Sequence, residues 1–127
     1  MRQHSAWLLD LISDKKVRTE YIEYIIAQLN IQLVQDLDKR KITLREAEEM
    51  LYNLDVAHAI TRRKLSRDCT EILTWGMQLE DLEDLEFEAT SFLNALRKFS
   101  QNILVKTSSS NRTRKQVRTV KRSLATA

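Results

Sequence analysis

A chain of 127 residues with no proline and a single glycine, Gly76, has almost nothing with which to make tight turns. Two-residue hairpin loops call for glycine, asparagine or aspartate at positive φ, and other turns lean on proline. Strands joined by such turns are therefore not expected. The chain is filled instead by Leu, Glu, Lys, Arg, Gln and Ala, which lose little side-chain freedom in a helix. The fold class that follows is all-α, a compact bundle of about five helices spanning 1–105, with a disordered basic C-terminal tail over 106–127. At this length one core is expected, and 43% hydrophobic residues are enough to fill it.

The net charge of +3 conceals a segregation. From Lys106 onward there are seven basic residues and no acidic one, which leaves fourteen basic and eighteen acidic residues before it. The body is thus acidic, at about −4, and the tail is +7. The tail offers Thr-Ser-Ser-Ser-Asn and then too few apolar residues to offset ordering entropy. Removing everything after Val105 is accordingly expected to leave the helical body intact.

Apolar residues recur at helical spacing along the body. Ser5 can cap a first helix with Trp7, Leu8, Leu11 and Ile12, and Asp14 marks its break. Ile22, Ile26, Leu29, Leu33 and Leu37, widened by Ile25 and Val34, make a long amphipathic helix. Thr43 and Glu46 have the spacing of a capping box ahead of a stripe of Leu44, Ala47, Leu51 and Leu54. Asn53 and Asp55 supply a stop and a new cap for a helix from Val56 to about Leu65. Asp68 and Glu71 repeat the cap spacing, and Gly76 then stands where a left-handed helix terminus is wanted. Leu85, Ala89, Phe92, Leu96, Phe99 and Ile103 step by four and three through a last long helix.

Chemistry-bearing patterns are few. Cys69 is the only cysteine, so no internal disulfide or cysteine-rich zinc site can form, and a buried apolar role is expected for it. His4 and His58 have no acidic neighbours at metal-ligand spacing. Phosphate-cradling loops and nucleophile elbows need more than one glycine. No enzyme, metal or cofactor is expected. The apolar run Ala6–Ile12 is broken by Asp10 and is neither a signal peptide nor a membrane span, so a soluble cytoplasmic protein is expected.

Two charged features bear on partners. Glu80, Asp81, Glu83, Asp84, Glu86 and Glu88 crowd nine residues without a compensating base. They could hold a divalent cation or meet a basic partner, or they could simply favour a helix N-terminus through the macrodipole. A calcium loop would want Asp or Asn at alternate positions around a glycine, which is missing. The basic candidates are Arg62, Arg63 and Lys64, with Arg112, Arg114, Lys115, Arg118, Lys121 and Arg122 in the tail. The stretch Ile42–Arg63 has the layout of a DNA-binding helix-turn-helix, with Ala47 in its first helix and a join at Tyr52–Asp55. Against it, the join lacks glycine and the bases lie at the wrong end of the reading helix. No aromatic residue is interleaved in the tail to stack on bases.

The phrases KITLREAEEMLYNLD and WGMQLEDLEDLE resemble a small, functionally uncharacterised bacterial family of helical proteins, over roughly Lys41 to Leu85, about a third of the chain. The resemblance implies a bacterial or phage origin and supplies no activity and no site residues. The function expected from the residues is a non-catalytic interaction or regulatory protein presenting a charged helical surface to a macromolecular partner. A protein partner, met by Glu80, Asp81, Glu83 and Asp84, is favoured over DNA. The alternative is a DNA-binding regulator that uses the 43–65 helix pair and the tail. Oligomeric state is left open.

Overall fold

The computed structural model describes residues 5–82 and 86–109. Six α-helices and one 3-10 turn follow in chain order: α1 (Ala6–Ser13), α2 (Thr19–Asp38), α3 (Leu44–Met50), α4 (Leu54–Arg63), α5 (Arg67–Met77), the turn Leu79–Leu82, and α6 (Glu86–Ser109). The all-α class holds, with no strand among the described residues. Long helices α2 and α6 form the spine of the bundle, α5 packs along α6 and also touches α2, and α4 joins α5 to α1.

Most of the expected stripes are buried where periodicity puts them. Ile22, Ile26, Leu33 and Val34 of α2 face Leu96 and Ile103 of α6 within one core, with Leu29 and Leu37 at its edge. Trp75 of α5 packs on α6 through Phe92 and Phe99, with ring centroids 4.7 Å and 5.7 Å apart and both pairs tilted. Such off-parallel contacts suit the aromatic quadrupole. Two expected core residues are instead exposed, Trp7 at 51% and Leu54 at 63%. Trp7 lies in the first turn of α1, and Leu54, the last residue of its stripe, is the first residue of α4.

Side chains cap the starts of α3 and α4. Thr43 Oγ1 accepts from the Glu46 amide at 3.1 Å and the Glu46 carboxylate accepts from the Thr43 amide at 2.8 Å, completing the capping box. Asn53 does two jobs, since its Oδ1 accepts from the Val56 amide at the start of α4 while its Nδ2 donates to the Glu48 carbonyl near the end of α3. The expected cap at Asp68 is displaced by two residues. The N-cap of α5 is Ser66, and its amide donates to the Glu23 carboxylate of α2 at 3.0 Å.

Helix ends give the clearest correction. Gly76 is not a left-handed terminus: it lies inside α5, which continues to Met77, and no glycine has positive φ. The left-handed positions fall on Arg40 and Lys64, both at φ 59°. There the Lys41 amide reaches the Asp36 carbonyl and the Leu65 amide reaches the Ile60 carbonyl, closing α2 and α4 by six-residue loops. A Cβ in this region costs about 1–2 kcal/mol, and the chain meets that cost at two lysine or arginine residues.

The boundary of the tail also moves. Helix α6 continues past Val105 to Ser109; Thr107 is buried, and Lys106 pairs with Asp68 of α5 at 3.3 Å. The remainder of the expected tail lies outside the described residues. Cutting the chain after Val105 should remove that last turn and lower the thermal midpoint by about 4 °C, the equivalent of roughly 1 kcal/mol. Cutting after Ser109 should leave the midpoint unchanged. Calorimetry of both truncations checks the boundary.

Candidate functional site

The polar chemistry of the interior converges on Asn30. It replaces an apolar residue in the buried face of α2 and is wholly enclosed. Its Nδ2 donates to the Leu96 carbonyl at 2.9 Å and to the Ser100 hydroxyl at 2.7 Å, both on α6. Its Oδ1 accepts from the Tyr52 hydroxyl at 2.7 Å. One amide thus joins α2, α6 and the corner between α3 and α4 with both donors and the acceptor used, as a buried amide must be.

Tyr52 reaches that point because the corner Leu51–Asn53 is pinned from both sides. The Leu51 and Tyr52 amides donate to the Ala47 carbonyl, and Asn53 clamps the next helix. The phenol ring then passes under α5 at Gly76. A Cβ built on Gly76 would stand 2.5 Å from Cγ and 2.6 Å from Cε1 of Tyr52, and closer still to Cδ1. Gly76 is therefore in the helix for close approach, although glycine costs a helix interior about 1 kcal/mol against alanine. Burial pushes the Tyr52 hydroxyl well above the ordinary tyrosine range, so it stays protonated and donates.

Burial, then the Glu23 carboxylate, raises the Cys69 thiol to about 12, which leaves it a protonated apolar residue and not a nucleophile. His58 is exposed on α4. Among the described residues no three His, Cys, Asp or Glu side chains gather as a metal site, and no helix is long and apolar enough to cross a membrane.

Asp81 is exposed on the 3-10 turn, which also contains Glu80, while Glu83 and Asp84 lie outside the described residues. Arg62 and Lys64 are exposed at the C-terminal end of α4. Arg63 is turned inward: its guanidinium donates to the carbonyls of Ile12 at 2.7 Å and Asp14 at 2.8 Å, and to that of Val17. It neutralises the open carbonyl end of α1 and lashes the α1–α2 connection to α4. Arg112, Arg114, Lys115, Arg118, Lys121 and Arg122 lie outside the described residues.

The chain matches, over residues 17–119, the family described as "Protein of unknown function (DUF3969)". It belongs to that family. The match takes in α2 through α6 and part of the basic segment, well beyond the third of the chain that carries the sequence resemblance, whereas α1 precedes it. Comparison with curated proteins and with solved structures finds no match.

Sequence reasoning passed over Asn30, Tyr52 and Ser100. The available signal was a polar residue inside each apolar stripe, Asn30 between Ile26 and Leu33 and Ser100 between Leu96 and Ile103. Removing the Tyr52 hydroxyl alone, Tyr52→Phe, strands the Asn30 Oδ1 and should cost about 1–3 kcal/mol in urea unfolding at pH 7. The raised pKa adds a pH signature. Tyr52 favours the fold while protonated, so its contribution is complete below pH 10 and falls as alkali ionises the unfolded chain. Tyr52→Phe should accordingly narrow its deficit against the parent protein above pH 10. A deficit that is constant with pH contradicts the assignment.

Proposed function

We propose that the chain is a non-catalytic interaction or regulatory protein that presents a charged helical surface to a macromolecular partner, a basic protein in preference to DNA. The observation that carries this reading is the segregation of charge, with an acidic body before Lys106 and an entirely basic segment from it onward. Opposed fields of this kind steer encounter and select partners by complementarity. The fate of the buried groups supports the same reading. Asn30, Tyr52 and Ser100 bind one another, Cys69 is held protonated, and Arg63 is occupied by carbonyls. What is left for recognition is the surface, where Asp81, Arg62 and Lys64 are exposed.

The acidic run would receive the basic partner. The body's negative field extends about 8 Å at physiological ionic strength, so the approach of a cationic surface is accelerated and salt-sensitive. The basic residues from Arg112 onward would repel that same partner and favour a second, acidic contact.

Replacing Glu80, Asp81, Glu83 and Asp84 with their amides removes four charges and leaves helix geometry nearly intact. Capture from native lysate should then lose its basic partner, while duplex DNA binds the parent weakly and without sequence preference. Truncation after Ser109 should flatten whatever log-log salt slope that DNA binding shows, at about 0.9 per phosphate released. The reading fails if the amide variant keeps every partner while the truncation, or neutralisation of Arg62 and Lys64, abolishes specific DNA binding.

A further inference from the structure

The outward face of α2 is unlike the rest of this surface. Lys, Arg, Asp and Glu make up 31% of the chain, yet the twelve residues from Tyr24 to Gln35 contain none. The buried side of that stretch is the core face described above. Its solvent side consists of Tyr24, Gln28, Gln32 and Gln35, all exposed, with Ile31 half-buried beside them, and exposed Tyr21 continues the row one turn earlier. Tyr21 is 54% and Tyr24 37% exposed. These positions advance by three and four, the spacing that keeps one straight seam along a helix. Tyrosine is enriched, and charge depleted, at the centres of protein contacts.

We infer that this face is the interface between two copies of the chain, paired antiparallel through α2 about a two-fold axis at Gln28. The stripe is self-complementary about that residue and no other. Seven positions on either side, Tyr21 meets Gln35 of the second copy; four positions on either side, Tyr24 meets Gln32. Gln28 meets itself. Each pairing sets a phenol against a carboxamide or a carboxamide against its like, and both groups donate and accept. Gln32 is already prepared for this, because its Nε2 donates to Asp36 at 3.1 Å and leaves the carbonyl oxygen as acceptor for the Tyr24 hydroxyl. Beyond the stripe, Arg18 falls opposite Asp38 of the second copy, and Glu20 opposite Asp36 is a like-charge pair at the solvated rim. An isologous contact of this kind uses one patch twice and closes on itself. It draws on no residue of the 3-10 turn or of α4, so it goes beyond the proposed function and does not depend on it.

A two-fold axis makes a distinctive test, since any charge placed at Gln28 must face its own copy. Sedimentation of the full chain should show a monomer–dimer equilibrium with Kd between about 1 µM and 1 mM, as suits a small contact. Gln28→Glu and Gln28→Lys should each sediment as monomers with unchanged circular dichroism, the side chain being exposed. Their equimolar mixture should restore a dimer, now a heterodimer. Tyr24→Ala should weaken the parent dimer about tenfold. A parent protein that is monomeric at millimolar concentration overturns the inference. So does a dimer that survives Gln28→Glu, or a mixture of the two charged variants that stays monomeric.

Discussion

The amide of Asn30 and the ring of Tyr52 fix how the helices of this small bundle meet. Apolar stripes attract helices to one another without specifying register, because a Leu-rich face can slide by a turn at little cost. A buried carboxamide cannot slide, since each of its polar atoms must find its own partner or forfeit about 1–3 kcal/mol. Here the partners are the Leu96 carbonyl, the Ser100 hydroxyl and the Tyr52 hydroxyl, from two different parts of the chain. Once α2 and α6 are registered through Asn30, Tyr52 places the α3–α4 corner against them. The contact of its ring with Gly76 then sets the distance of α5.

Much of this was legible in the sequence, and the parts that were not share a cause. Periodicity located α2 and α6, the Thr43–Glu46 spacing located the start of α3, and Asn53 marked the start of α4. Each of those signals is local, completed within one or two helical turns. Gly76 was misread because the local rule for a late glycine is a left-handed terminus, while its actual reason is a ring contributed by a residue 24 positions earlier. Ser66 was missed as a cap because Glu23, far away in sequence, accepts its amide. Arg63 looked like a free base because the carbonyls it satisfies belong to α1 and the connection after it. The Asn30–Ser100 pairing was half visible as polar breaks in two apolar stripes, although the sequence does not say which break answers which.

The same division bears on function. Three polar groups serve the architecture: the one thiol is buried and protonated, the one buried phenol is a hydrogen-bond donor, and Arg63 closes another helix. Charge is segregated along the sequence, acidic on balance before Lys106 and wholly basic from it onward, and the exposed positions Tyr24, Gln28, Gln32 and Gln35 of α2 carry none. Membership of the DUF3969 family covers the helices that build this arrangement, from α2 to α6.

Tyr52 occupies the space a side chain at position 76 would need, and a double-mutant cycle between the two positions tests this most directly. Gly76→Ala in the parent protein should destabilise by about 1–3 kcal/mol through overpacking against the ring. With the ring removed by Tyr52→Ala, the same change should become neutral or stabilising by up to about 1 kcal/mol, because alanine is the better helix former. All four proteins can be compared by urea unfolding in a fixed concentration of a protecting osmolyte, which keeps the weakest of them folded. A reversal of sign between the two backgrounds supports the account; an equal cost of Gly76→Ala in both contradicts it.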